Sequence, residues 1–482
     1  MLHRGLLIAG REVNAASGET FPVLAPETGL VLGSVARAGA RDVNQAVEAA
    51  GRGFLAWYRK TPAEREAVLL KAAEIVAEEG EARFLELLID ESGSAIRKAR
   101  REIQYTVDLL RTAAGESRRL YGETFPNDDP QKISLVIREP LGTVAVISPY
   151  NAPLSLLTKM AAFPLAAGNA IVIKPSEETP LTALAFGKLL IDAGLPAEAI
   201  SVLPGFGSEC GAELVNHPRV DSVALTGSTQ TGVLVAQQAL KGMRRVQLEL
   251  GGKSALLVLE DADPEQAAAI AAQGIFTHAG QICMANARIV VEEKIYPAFV
   301  AALKREAESL TLGNLRDENT VYGPLINARA VEKVLEQVRA AQSAGATLLT
   351  GGEISPVGPL VIKPTVILDA PKDSAVWREE SFGPVTCVAK ASGLQQAIEI
   401  ANDSEYGLSA AVLTNNLQWG LQAARKIRSG AVHIGMHSFQ SNALAPIGGV
   451  GMSGFGRSGG RYSTEEFTEV KWISADTGSL PV

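Results

Sequence analysis

From residue 142 onward the chain alternates between two textures. Short runs of β-branched and aliphatic residues occupy 142–147, 170–174, 199–203 and 222–225, and read as buried strands. Between them, near 159–167, 181–194 and 208–216, apolar residues fall at helical spacing. Strands alternating with helices predict a parallel sheet covered on both faces. The alternation resumes after residue 253, with strand candidates at 254–259 and 289–291 around a helix expected over 264–279. The expected fold class is therefore α/β, with two α/β domains.

The first third reads differently. Thr61-Pro62-Ala63-Glu64 places a capping hydroxyl, a proline at the first helical position and a glutamate that closes a capping box. Leu69, Leu70, Ala73, Ile75 and Val76 continue that helix, and further helices are expected over 84–88 and 103–114. Two strand candidates, 132–137 and 467–473, stand apart from the alternating units and predict a small separate sheet.

Length and composition add bounds. A chain of 482 residues with 46% hydrophobic and 20% charged residues fits a globular enzyme of two or three domains. A net charge of −8 leaves no cationic excess for nucleic acid. The first ten residues form an apolar run too short for a signal core or a membrane span, so an opening strand and turn are expected and no membrane partner. The three cysteines, Cys210, Cys283 and Cys387, are no disulfide framework and fit a reducing cytoplasm. None has zinc-ligand spacing, so no metal is expected.

Candidate chemistry collects at the predicted strand ends. Thr226-Gly227-Ser228 lies between a strand and a helix, where free backbone N–H groups and a positive dipole end suit a pyrophosphate. The turn alone is a weak signal and lacks the G-x-G-x-x-G spacing. Lys174-Pro175-Ser176-Glu177 pairs an ammonium with a carboxylate able to hold a ribose diol, although the tetrapeptide alone favours a surface Lys and Glu. Asn151, between Pro149 and Pro153, presents either an amide donor for an oxyanion or a turn-capping side chain. Glu249 precedes Gly251-Gly252. The alternative for it is an exposed glutamate on a strand face. Cys283, flanked by Gly280, Gln281 and Ala285, lacks the continuous apolar neighbours of a buried structural cysteine. A thiol with a carboxylate base is a complete pair for covalent catalysis at a carbonyl. The loops 379–385 and 446–457 are rich in glycine and by themselves indicate turns and close packing.

The Glu249 and Cys283 motifs, with these others in the same order, resemble the aldehyde dehydrogenase superfamily over nearly the whole chain. The resemblance implies two open Rossmann-like domains and a small bridging β-sheet for oligomerisation. It divides the chain into an NAD-binding domain (1–122 and 142–252), a catalytic domain (253–445) and bridging strands (123–141 and 460–482). It implies Cys283 as nucleophile, Glu249 as base and Asn151 as oxyanion donor. It places NAD, with NADP possible, against Ile147, Ser148, Pro149, Tyr150, Lys174, Ser176, Glu177, Gly207, Gly211, Thr226, Gly227, Ser228, Leu250, Gly251, Glu380 and Phe382. Glu177 favours NAD, because a 2′-phosphate would meet like charge there. The tail 453–473 and His433-Ile434 look like the branch that oxidises aromatic aldehydes such as benzaldehyde or vanillin. Lys159, Ile282, Met284 and Phe439 would line its substrate pocket, Lys159 as a cation for a phenolate or carboxylate or as a plain helix-surface lysine. Tyr150 stands where the branch more often has Trp, Ile447 where it has Phe, and the 435–444 loop departs from its usual sequence. A homodimer or homotetramer acting on a small-molecule aldehyde is expected, or an aliphatic or semialdehyde dehydrogenase of the same fold.

Overall fold

The computed structural model describes residues 2–478. Met1 and residues 479–482, the end of the expected 460–482 bridging segment, lie outside the described residues.

The strand runs read from the sequence assemble into two large sheets. The first has the spatial order Gly454–Phe455, Arg245–Glu249, Ser222–Thr226, Thr143–Ile147, Ala170–Lys174, Ile200–Val202, Leu6–Ile8, Arg11–Val13. Its five central strands are parallel, and the flanking strands antiparallel. The chain builds outward from Thr143–Ile147 in one direction, then returns to add Ser222–Thr226 on its other side. That reversal is the switch point at which open α/β sheets bind ligands. The second sheet runs Thr347–Thr350, Thr365–Leu368, Val385–Ala391, Arg288–Glu292, Ala255–Val258, Ser409–Leu413, Ala431–Ile434, parallel except at its first strand. Central strands of both sheets are buried throughout, which is why they read as continuous apolar runs. Each sheet has its own hydrophobic core.

Helices cover the sheets. Thr61 and Glu64 close the expected capping box, Thr61 Oγ1 accepting from Glu64 N at 3.3 Å and Glu64 from Thr61 N at 2.8 Å. The helix Pro62–Gly80 runs through one widened turn, Glu81–Leu85, into Glu86–Ser92. Residues 84–88, expected as a helix of their own, therefore continue an existing one. The helix expected over 103–114 spans Ile96–Glu116. Its first turns carry Arg97, Lys98, Arg100 and Arg101, whose charge hides the apolar period. The helix expected over 264–279 stops at Phe276, because His278, Ala279 and Gly280 all take positive φ (53°, 54° and 69°).

The segment Thr468–Asp476 pairs antiparallel with Lys132–Pro140, which pairs with Glu123–Phe125. This separate small sheet leaves Phe125, Ile133, Leu135, Val470, Trp472 and Ile473 exposed. A further three-stranded sheet joins Leu2–Arg4, Val31–Ala36 and Thr20–Leu24. Among the described residues no helix is long and apolar enough to cross a membrane.

One buried carboxylate fixes how the helices meet. Glu91, fully buried, accepts from Leu181 N (2.5 Å), Thr182 N (2.9 Å) and Thr182 Oγ1 (2.7 Å) at the start of the helix Pro180–Asp192. Replacing it by Ala strands these donors at about 1–3 kcal/mol each. Glu91→Ala is expected to lower the thermal unfolding midpoint by several degrees, and Glu91→Gln, which keeps an acceptor oxygen, by less. Scanning calorimetry of the two variants checks that order.

Candidate active site

The candidate residues come from opposite edges of the two sheets. Ile147, Lys174, Thr226 and Glu249 end parallel strands of the first sheet. Ser148 to Asn151, Ser176 and Glu177, Gly227 and Ser228, and Leu250 and Gly251 follow directly from those ends. The second sheet contributes the segments that lead into its strands. Cys283 precedes Arg288–Glu292, and Glu380 and Phe382 precede Val385–Ala391. The carboxyl edge of one sheet thus faces the amino edge of the other.

Asn151, Glu249 and Cys283 line one cavity of about 610 Å³, with Lys159, Ile282, Met284 and Phe439 also in its wall. Ala152 and Ser155, both small, widen it. Cys283 is half-buried. Burial, with Glu380 and Glu249 nearby, pushes its thiol up to about 12, against the partial relief that Lys159 gives. The sulfur is therefore protonated at neutral pH until a base takes its proton.

Lys159 and Glu249 are partners. Lys159 Nζ lies 3.2 Å from both carboxylate oxygens, and the lysine is only 3% exposed. The readings of Lys159 as a helix-surface lysine and of Glu249 as an exposed strand glutamate both fail. The apolar helix Ser155–Ala167 is buried along nearly its whole length, so the one ammonium on it needs a counter-charge. Glu249 supplies that charge, and the ammonium is not free to meet a substrate anion.

Asn151 is held by residues that sequence reasoning missed. Its side-chain Nδ2 donates to the Gln281 carbonyl at 2.8 Å, and its own carbonyl accepts from Lys98 Nζ at 2.7 Å. Lys98 also pairs with the buried Glu102 at 2.6 Å, and Glu102 accepts from Leu154 N and Ser155 N. Gln281 is anchored through Ile326 N, which donates to its Oε1 at 3.0 Å. The available signal was the i, i+4 spacing of Lys98 and Glu102 inside the arginine-rich run.

The loop carrying Cys283 is backbone-strained. Residues 278–280 are left-handed, and a Cβ on Gly280 would stand 2.1 Å from the Gly383 carbonyl oxygen. Only glycine lets the loop approach the segment after Phe382 so closely.

The remaining candidates form a cradle along the first sheet's edge. Lys174 Nζ lies 3.2 Å from Glu177 Oε2; a Cβ on Gly211 would only touch the Lys174 stem at 3.7 Å, and one on Gly207 would meet open space. Ser228 caps the helix Thr229–Leu240, accepting from Thr231 N at 3.2 Å, and Gly227 N donates to the Glu249 carbonyl. Thr226 Oγ1 contacts Met160 Sδ at 2.9 Å, inside the fold. Glu380 Oε1 accepts from Gly252 N at 3.1 Å, and burial raises this carboxyl above its usual range. A Cβ on Gly251 would meet Glu380 Oε2 at 2.5 Å. Tyr150 and Phe382 meet edge to face at 5.9 Å. Two carboxylate sites for diols flank a helix N-terminus suited to a pyrophosphate, so the donor set fits a dinucleotide. Among the described residues no cluster of His, Cys, Asp and Glu could hold a metal.

Comparison with known proteins gives the same direction. Residues 13–473 match the model of the aldehyde dehydrogenase family. Vanillin dehydrogenase of Pseudomonas fluorescens is 37% identical over 99% of both chains. Succinate semialdehyde dehydrogenase of Acinetobacter baylyi is 36% identical over 97% of this chain and 96% of its own. The crystal structure of an NAD-dependent aldehyde dehydrogenase from Sinorhizobium meliloti superposes with a TM-score of 0.96 at 36% identity, covering 100% of this chain and 96% of that one. The chain belongs to the aldehyde dehydrogenase family.

Proposed function

We propose that the protein is an NAD(P)-dependent dehydrogenase that oxidises an aldehyde to the carboxylic acid, with Cys283 as nucleophile, Glu249 as base and Asn151 as oxyanion donor. The observation that carries this is the convergence of all three on one cavity from two sheets.

The steps follow from the side chains. Cys283 releases its proton to solvent, and its sulfur bonds to the aldehyde carbon, giving a tetrahedral thiohemiacetal oxyanion. The Asn151 amide, with one N–H engaged at Gln281, directs the other toward the substrate oxygen. A bound dinucleotide would supply the acceptor for the hydride on that carbon. Cys283 is left as a thioester. Glu249 takes a proton from water, whose oxygen attacks the thioester and releases acid and thiol. Lys159 holds the Glu249 carboxylate in place between turnovers.

Lys174, Ser176 and Glu177 would hold the adenosine ribose, Ser228 and its helix the pyrophosphate, and Glu380 the other ribose. Ile147 to Tyr150, Gly207, Gly211, Thr226, Gly227, Leu250, Gly251 and Phe382 wall the same groove. Glu177 disfavours a 2′-phosphate and so favours NAD. Ile282, Met284, Phe439 and the small Ala152 and Ser155 suit an aromatic ring, as does the likeness to vanillin dehydrogenase. The likeness to a succinate semialdehyde dehydrogenase supports the second reading, an aliphatic semialdehyde. The exposed apolar residues of the small sheet are suited to a second copy of the chain, giving a dimer or tetramer. The three free cysteines suit the cytoplasm.

Steady-state rates over aromatic and aliphatic aldehydes, with NAD and NADP in turn, test this reading as a whole. Cys283→Ala is expected to lower NADH formation by at least about 10³-fold, and undiminished turnover sinks the assignment. Glu249→Gln is expected to give a burst of NADH followed by a slow phase, because the thioester forms but is not hydrolysed. Stopped-flow absorbance separates the two phases. In the protein without dinucleotide, the raised Cys283 thiol sets the pH dependence of alkylation. Its rate with iodoacetamide should rise about tenfold per pH unit from pH 7 to 9, with no plateau. Mass mapping of the labelled peptide checks the site.

A further inference from the structure

We infer that Arg97 and Arg101 form an outer anion subsite at the mouth of the cavity, selecting aldehydes that carry a carboxylate opposite the formyl group. This rests on the reading of Cys283 as the nucleophile.

Arg97, Arg101 and Tyr105 are spaced four apart on the helix Ile96–Glu116, and all three line the cavity that contains Cys283. That spacing puts them on one helix face. Both arginines are exposed, while Tyr105 is partly buried and close enough for Glu249 to act on its hydroxyl. The face therefore leads from solvent to the base. The Tyr105 hydroxyl is buried and has no hydrogen-bond partner among the described residues.

The other cations in the wall are already neutralised. Lys98 pairs with Glu102 at 2.6 Å and Lys159 with Glu249 at 3.2 Å. The neighbouring Arg100, on another face of the helix, pairs with Glu81 and Glu318. Arg97 and Arg101 have no carboxylate within ion-pair distance among the described residues. The one further carboxylate in the lining, Glu306, pairs with neither. Two uncompensated guanidiniums thus face the opening in a chain of net charge −8. Each offers a planar fork of donors matched to a carboxylate. An anion at the opening would meet both guanidiniums, and the lysines of the lining, Lys98 and Lys159, are already paired.

The same cavity is lined by the apolar Leu156, Ile282, Met284 and Phe439. A benzene ring or a short methylene chain packs against such an apolar wall, so the shared chemistry is a carboxylate held away from the aldehyde by an apolar spacer.

The test compares para-carboxybenzaldehyde with benzaldehyde, and succinate semialdehyde with butanal, in the wild-type enzyme and in the double variant Arg97→Gln/Arg101→Gln. The wild type should favour the carboxylated member of at least one pair, and its kcat/KM for that member should fall with added salt. The double variant should raise KM for it by about tenfold or more, keep kcat, and lose the salt dependence. KM for the neutral aldehydes should change less than about twofold. A response in the aryl pair alone assigns the spacer to a ring, and in the aliphatic pair alone to a chain. Neutral aldehydes oxidised well while carboxylated ones are indifferent to the double variant overturn the subsite and leave the nucleophile standing. Wild-type enzyme that oxidises none of the four overturns both.

Discussion

The hydrogen bond from the Asn151 amide to the Gln281 carbonyl joins the two halves of the site, and most of the local geometry serves it. Asn151 follows a strand of the first sheet. Gln281 lies two residues before Cys283, on the segment leading into the second. Neither sheet could place the proposed oxyanion donor, Asn151, beside the proposed nucleophile, Cys283, by itself, because each presents only one edge to the cleft. Lys98 and Glu102 fix the Asn151 side through a backbone carbonyl and two backbone N–H groups. Ile326 and the left-handed run 278–280 fix the other side. The strain in that run is tolerable because the flanking elements are buried and determine its path.

The electrostatics of the cleft follow from the same closeness. A site dry enough to strengthen hydrogen bonds also raises the cost of every isolated charge. Cys283 meets this cost by staying protonated, burial and the charges of Glu380 and Glu249 all favouring the thiol. Glu249 meets it by pairing with Lys159, and Glu380 by accepting from Gly252 and lying near Lys253. Lys253, itself lowered to about 8 by burial, donates to Ser381 and so tethers the loop on which Glu380 and Phe382 sit. Charges that face solvent have no such need, which is why Arg97 and Arg101 can stand unpaired.

Much of this was legible in the chain because it rests on local pattern. Fully buried parallel strands announce themselves as short apolar runs, and the strand-end positions of Asn151, Lys174, Ser228 and Glu249 followed from them. What escaped depends on partners distant in sequence. For Lys159 the chain offers either a substrate-facing cation or a helix-surface lysine, because its counter-ion lies 90 residues away. The helix Ile96–Glu116 lost its first two turns to a run of arginines whose exposed side faces a cavity. The helix before Cys283 ends at Phe276, short of the 279 its apolar period predicts, since no propensity rule places alanine and histidine in left-handed backbone. The loop 446–457 read only as turns.

That loop shows why a glycine-rich segment can matter without carrying chemistry. Two of its residues, Gly454 and Phe455, add an antiparallel edge to the strand Arg245–Glu249, with Glu249 opposite Gly454. Ser453 then closes the turn beyond the strand, its carbonyl accepting from Leu250 N at 3.1 Å and its hydroxyl donating to the Gly251 carbonyl at 2.7 Å. A Cβ on Gly454 would fall 2.1 Å from the Leu248 carbonyl oxygen, so the pairing needs glycine at that point. Glu249 would otherwise end an edge strand with half of its backbone groups open to water. With this cover the Glu249 backbone is held by strands on both sides and its carboxylate by Lys159, so its direction is set before any substrate arrives.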